Sequence, residues 1–161
     1  MSLPNRRFLL ALPLLALAAC GFQPVYGPGG SGTALQNSVQ VAAPDDAFGY
    51  VLVREIETRL GRPADARYAL ALTTAISEEG LAIDAEGNTR RFNLIGTVEY
   101  ALRNLVTGQI ETSGNVDNFT GYSATGSTVA TLAAERDAQV RLMTMLADQI
   151  VNRLYAANLT P

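Results

Sequence analysis

The chain of 161 residues contains no histidine, no lysine and one cysteine, Cys20. Without histidine there is no imidazole base, no Ser-His-Asp triad and no His-ligated metal. One thiol excludes an internal disulfide and a CxxC redox pair. All 12 basic residues are arginine, against 15 acidic ones, for a net charge of −3. An acidic chain without a basic block lacks what phosphate neutralisation requires, so no nucleic-acid partner is expected. With charged residues at 17% and hydrophobic ones at 48%, there is apolar material enough for one folded domain.

The first twenty residues differ from the rest. Arg6 and Arg7 precede an apolar run from Phe8 to Leu17, broken only by Pro13. The run is about ten residues long, too short to cross a bilayer of about 30 Å as a helix. A basic start, a short apolar stretch and small residues at its end make a signal peptide. The sequence Leu17-Ala18-Ala19-Cys20 resembles a bacterial lipobox, in which the cysteine is acylated. The competing reading is an ordinary secretory signal that happens to end near a cysteine. Under the lipobox reading residues 1–19 are removed, and 142 residues with 10 arginines and 15 carboxylates remain, a net charge of −5. Acyl chains on Cys20 would tether the protein to a membrane without spanning it. Gly21 stands where an aspartate would resemble an inner-membrane retention signal, so the expected location is the periplasmic side of the outer membrane.

Residues 20–37 carry Gly27-Pro28-Gly29-Gly30-Ser31-Gly32 and are expected to be a flexible tether. They are no phosphate loop, since no strand precedes them and no Lys-Ser/Thr follows. A single domain is expected over 38–161. Val39 and Val41 alternate with polar neighbours, which predicts a strand over 38–43. Pro44-Asp45-Asp46 then offers an N-cap, and Phe48, Val51, Leu52, Ile56 and Leu60 recur at helical spacing over 46–60. Gly61 and Pro63 stop that helix. From Arg67 the period becomes two, with Tyr68, Leu70, Leu72, Thr74 and Ile76 on one face. A parity shift at Leu81 and Ile83 predicts a bulge near Glu79-Gly80, and residues 84–88 read as a turn. Phe92, Leu94, Gly96, Val98, Tyr100 and Leu102 form the next apolar face, and Ile110, Thr112, Gly114 and Val116 another. Residues 120–127 read as a loop. A long helix is predicted over 128–156, with an apolar stripe of Leu132, Ala138, Leu142, Met145, Leu146, Ile150 and Leu154. The fold class expected is α+β, in the order β-α-β-β-β-α. Two helices would pack on one face of a four-stranded mixed sheet, the first two strands parallel through their helical crossover.

The opening Cys20-Gly21-Phe22-Gln23-Pro24-Val25-Tyr26-Gly27 and the final helix, with Asp137-Ala138-Gln139 and Leu146 to Leu154, resemble the LPS-assembly lipoprotein family LptE in its alphaproteobacterial form. The resemblance implies two helices on a four-stranded sheet, as read above. It further implies an outer-membrane lipoprotein that plugs the barrel LptD, binds lipopolysaccharide and helps its barrel assemble. With no histidine, no lysine and no thiol once Cys20 is acylated, neither catalysis nor a cofactor is expected. A tethered periplasmic lipid or glycolipid carrier is the alternative.

Two clusters bear on these readings. Arg90-Arg91, just past the 84–88 turn, suits the phosphates and carboxylates of lipopolysaccharide by bidentate hydrogen bonding; beside Asp84 and Glu86 it reads equally as a solubilising pair. Glu78-Glu79 has the composition of an acid–base pair, or of a solvated strand end. The polar strand face (Asn93, Thr97, Glu99, Glu111, Ser113, Asn115, Asp117) would be wet in any half-buried sheet, and a barrel lumen is polar as well.

Overall fold

The structure, a computed structural model, describes residues 24–83, 87–124, 126–157 and 159. The elements in chain order are α1 (Ser31–Leu35), β1 (Val39–Val41), α2 (Ala47–Leu60), β2 (Tyr68–Ile83), β3 (Thr89–Asn104), β4 (Ile110–Ser123) and α3 (Thr128–Ala156). The sheet order is β1-β2-β3-β4. β1 runs parallel to β2, while β2, β3 and β4 form an antiparallel meander. The expected α+β architecture and strand order are observed.

Local chemistry sets the boundaries. Asp46 caps α2, its carboxylate accepting from the Gly49 N–H at 2.6 Å. Gly61, at φ 78°, ends the helix in a backbone state that side chains disfavour. Ser127 caps α3 by accepting from Ala130 N. Along β3 the even residues Leu94, Val98, Tyr100 and Leu102 are buried, and they meet Leu142, Leu146, Ile150 and Leu154 of α3 in one core. Gly96 sits on the same face. A Cβ there would stand 2.9 Å from Leu146 Cδ1 and 3.1 Å from Leu142 Cδ2. The missing side chain is what lets the two leucines reach the sheet.

Five expectations need correcting. A third helix, α1, lies inside the stretch expected to be a tether: Leu35 is fully buried in the core, so a residue from the glycine-rich stretch is part of the fold. The predicted strand over 38–43 is shorter, Val39–Val41. β4 runs on to Ser123, into the first four residues of the predicted 120–127 loop, because Thr120 to Ser123 pair with Leu94 to Arg91 of β3. Ile110, assigned to the apolar face, is 53% exposed, beside a register shift between Leu102 and Arg103. Leu132, assigned to the apolar stripe of α3, is 46% exposed. The predicted bulge is present, as register shifts at Gly80/Ala82 and Ala82/Ile83.

Candidate functional site

Two ends and one open face organise the molecule. α3 has 29 residues, about 43 Å at 1.5 Å per residue. Its C-terminal end holds the first described segment. Tyr26 Oη donates to Tyr155 Oη at 3.0 Å, and the rings meet edge to face at 5.7 Å. Ser31 Oγ donates to the Tyr155 carbonyl, and Gly32 N–H donates to the Val25 carbonyl at 2.9 Å. Burial, then the hydrogen bond with Tyr26, pushes the Tyr155 hydroxyl up to about 12. Cys20 and the lipobox residues Leu17, Ala18 and Ala19 lie outside the described residues.

The N-terminal end of α3 adjoins the predicted arginine pair. Arg90 and Arg91 are both exposed at the start of β3. The Ala124 N–H donates to the Arg90 carbonyl at 3.0 Å, and Arg91 is registered between Ala82 and Ser123. Asp84 and Glu86, the acidic neighbours in the solubilising reading, lie outside the described residues. Arg91 lines a shallow recess of about 430 Å³ with Leu81, Asn93, Phe119 and Ser123. Phe119 is 64% exposed and registered against half-buried Ile95 on the outer sheet face. The strand pattern missed this cation beside exposed apolar side chains. Its signal was one aromatic at an odd position among polar odd neighbours in β4.

On the inner side of the same end, Tyr122 stacks on Phe92 at 5.2 Å and its hydroxyl donates to Glu78 Oε2 at 2.9 Å. Burial first, and the Glu78 carboxylate second, push the Tyr122 hydroxyl up to about 12. Glu78 therefore turns inward to a tyrosine. Glu79, next along β2, projects from the opposite face, so the two carboxylates do not share a site. The remaining outer face is polar and small, with exposed Thr73, Ala75 and Ser77 on β2, Glu99 on β3, and Ser113, Asn115 and Asp117 on β4. Among the described residues no group of three or more Cys, Asp or Glu side chains is arranged to hold a metal ion, and no helix is long and apolar enough to cross a membrane.

A four-stranded sheet with two long helices on one face, entered through a short helix clamped to the last one, makes this a small two-layer α+β domain. The chain belongs to the LptE lipopolysaccharide-assembly family, whose model matches residues 36–154. Solved structures share the fold. A protein assigned as a lipoprotein in Caulobacter crescentus CB15 is 25% identical, with a TM-score of 0.63 over 78% of this chain and 93% of that one. The rare lipoprotein B of Shewanella oneidensis is 17% identical, with a TM-score of 0.58 over 75% of this chain and 94% of that one. A minor lipoprotein of Acinetobacter baumannii is 17% identical, with a TM-score of 0.54 over 79% and 97%. No curated protein sequence matches the chain. Membership of this family makes the chain a lipopolysaccharide-assembly protein.

Proposed function

We propose that the protein is anchored by acyl chains on Cys20 to the periplasmic side of the outer membrane. There it is seated in the lumen of the barrel LptD as plug and assembly subunit for lipopolysaccharide export. Its role is binding and positioning, without catalysis. The observation that carries this reading is the family match across 36–154. The wet outer sheet face supports it, because a barrel lumen offers a polar wall.

Arg90 and Arg91 are the residues proposed to meet lipopolysaccharide. Both are exposed, and Arg91 lines the recess with Leu81 and Phe119, a pairing of charge and apolar surface that suits a phosphorylated amphiphile; Arg90, next along β3, projects from the opposite face. The tethered-carrier alternative needs an apolar cavity of several hundred Å³. The space between α3 and the sheet is instead filled by Leu142, Leu146 and Ile150, all fully buried, at the close approach that Gly96 permits. Purification of the acylated protein from detergent-solubilised outer membranes separates the readings. A plug brings a stoichiometric barrel with it; a carrier comes alone, and that result would overturn the plug.

A further inference from the structure

The two outer edges of the sheet are treated differently. Main-chain groups of alternate residues point to opposite sides of a strand. In β4 the even residues bond to β3, so the odd ones face out, and side chains occupy them. Gln149 Nε2 donates to the Asp117 carbonyl at 3.2 Å and Arg141 Nη2 to the Gly121 carbonyl at 3.2 Å. Between them the Phe119 N–H donates to Asn118 Oδ1 at 2.9 Å. The 117–121 edge is thus closed to another strand.

The β2 edge is not. β1 covers it only from Tyr68 to Leu70. The Tyr68 N–H donates to Ser38 and the Leu70 carbonyl accepts from Ala42, so the even residues of β2 face this side. Beyond Leu70 the even series continues as Leu72, Thr74 and Ile76. Among the described residues neither strand nor side chain bonds their outward main chain. The stretch holds no proline, no lysine or arginine, and no bulge before Gly80, the usual devices against strand addition. α2 gives little cover: its 14 residues span about 21 Å, against about 53 Å for the 16 of β2. A recess of about 190 Å³, lined by Ala42, Pro44, Asp46, Leu72 and Thr74 among others, opens where β1 stops. Exposed Val129, Leu132 and Val140 of α3 continue the spacing of buried Met143, Ala147 and Val151, so the apolar stripe runs on uncovered toward the N-terminal end of α3.

We propose that an extended segment of the partner barrel chain adds to this edge as a strand beside Leu72–Ile76, continuing the column that β1 begins. This rests on the plug reading and names the contact by which the plug is held. Unpaired N–H and C=O groups in a row are complementary to an extended main chain, and β1 shows what this column accepts. Two other occupants fail. A second copy paired edge to edge about Ala75 would bring its own β1 into the column that Gly80–Ile83 of this copy already fills. The chain's own N-terminus is held at Tyr155. Only residues 20–23 precede Pro24 in the acylated form, about 14 Å of extended chain, while the open edge starts beyond the β1 pairing.

The test is residue-resolved hydrogen exchange on the acylated protein, alone in detergent and in its complex with the barrel. The Leu72, Thr74 and Ile76 amides should exchange freely alone and be protected at least about 100-fold in the complex, while Thr73 and Ala75, bonded to β3, are protected in both. This alternation separates strand addition from simple covering. Unprotected even amides in an intact complex overturn the inference and leave the plug standing; absence of any barrel overturns both. Thr74→Pro removes one outward N–H at a position where an edge tolerates proline, and should cut barrel recovery at least about tenfold. Thr74→Ala keeps the N–H and should recover the barrel in full. Equal recovery by both variants, or equal loss, means that the main chain is not what is recognised.

Discussion

Tyr26 and Tyr155, 129 positions apart, share a hydroxyl–hydroxyl hydrogen bond of 3.0 Å with their rings edge to face. With Ser31 bonded to the Tyr155 carbonyl, this contact fastens the glycine-rich lead segment to the last turn of α3. A stretch whose composition reads as a linker is held by a few side chains rather than by propensity.

Two tyrosines make the fold sensitive to alkali. Tyr122 and Tyr155 are each pushed up to about 12, above the ordinary tyrosine value of about 10. The neutral hydroxyl is the form the fold favours, so this stabilisation is complete below pH 10 and is lost as pH rises from 10 through 12. Thermal melts across that window should show Tm falling steeply for the wild type and less steeply for Tyr122→Phe. Parallel curves would mean that the buried hydroxyl does not titrate with unfolding.

The leucine contacts on Gly96 set the core. Leu146→Ala should cost about 2–5 kcal/mol, a large part of a typical total of about 5–15 kcal/mol, whereas Asn115→Ala on the wet face should change stability by less than about 0.5 kcal/mol. Glu111 is a poorer control, because Asn104 Nδ2 donates to its carboxylate at 2.8 Å and Asn104 is buried. Denaturant titration ranks the variants, and the reverse order would mean that the sheet faces are inverted.

Replacing Arg90 and Arg91 together with alanine should leave stability within about 0.5 kcal/mol, as for exposed positions, and leave barrel recovery intact. Binding of purified lipopolysaccharide should weaken at low salt and differ less from wild type at high salt, where exposed charges are screened. Unchanged binding at low salt would leave the pair a solubilising tip. Loss of the barrel would make it part of the docking surface.

Cys20→Ser should abolish labelling by a fatty-acid analogue and release the protein from the outer membrane or leave it unprocessed. Equal labelling of wild type and variant would place the acyl group elsewhere.

Periodicity made much of this fold legible. Alternation along β3 was long enough to fix its type, and the helical spacing of α3 its type and extent, while the Asp46 and Ser127 caps are local chemistry. What escaped depended on contacts distant in sequence. α1 is five residues long, too short to carry a period, and is defined by Leu35 in the core and by Tyr155. The end of β4 has small polar residues typical of loops, and only its pairing from Leu94 to Arg91 makes it a strand. Leu132 falls on the helical stripe in sequence but is 46% exposed. At the tip the arginines were visible as a pair, while Phe119 and Leu81 join Arg91 alone, through cross-strand register and the bulge.

α3 is also a ruler. At about 43 Å for 29 residues, it matches the thickness of a bilayer with its headgroups, about 40–45 Å. The clasp at Tyr155 marks one end and the strand that follows Gly87 begins at the other. A domain standing on its acyl chains along this axis would carry Arg90 and Arg91 the full depth of the membrane away from its own anchor. The guanidinium groups would then be out of reach of the leaflet that holds the protein and level with the opposite surface.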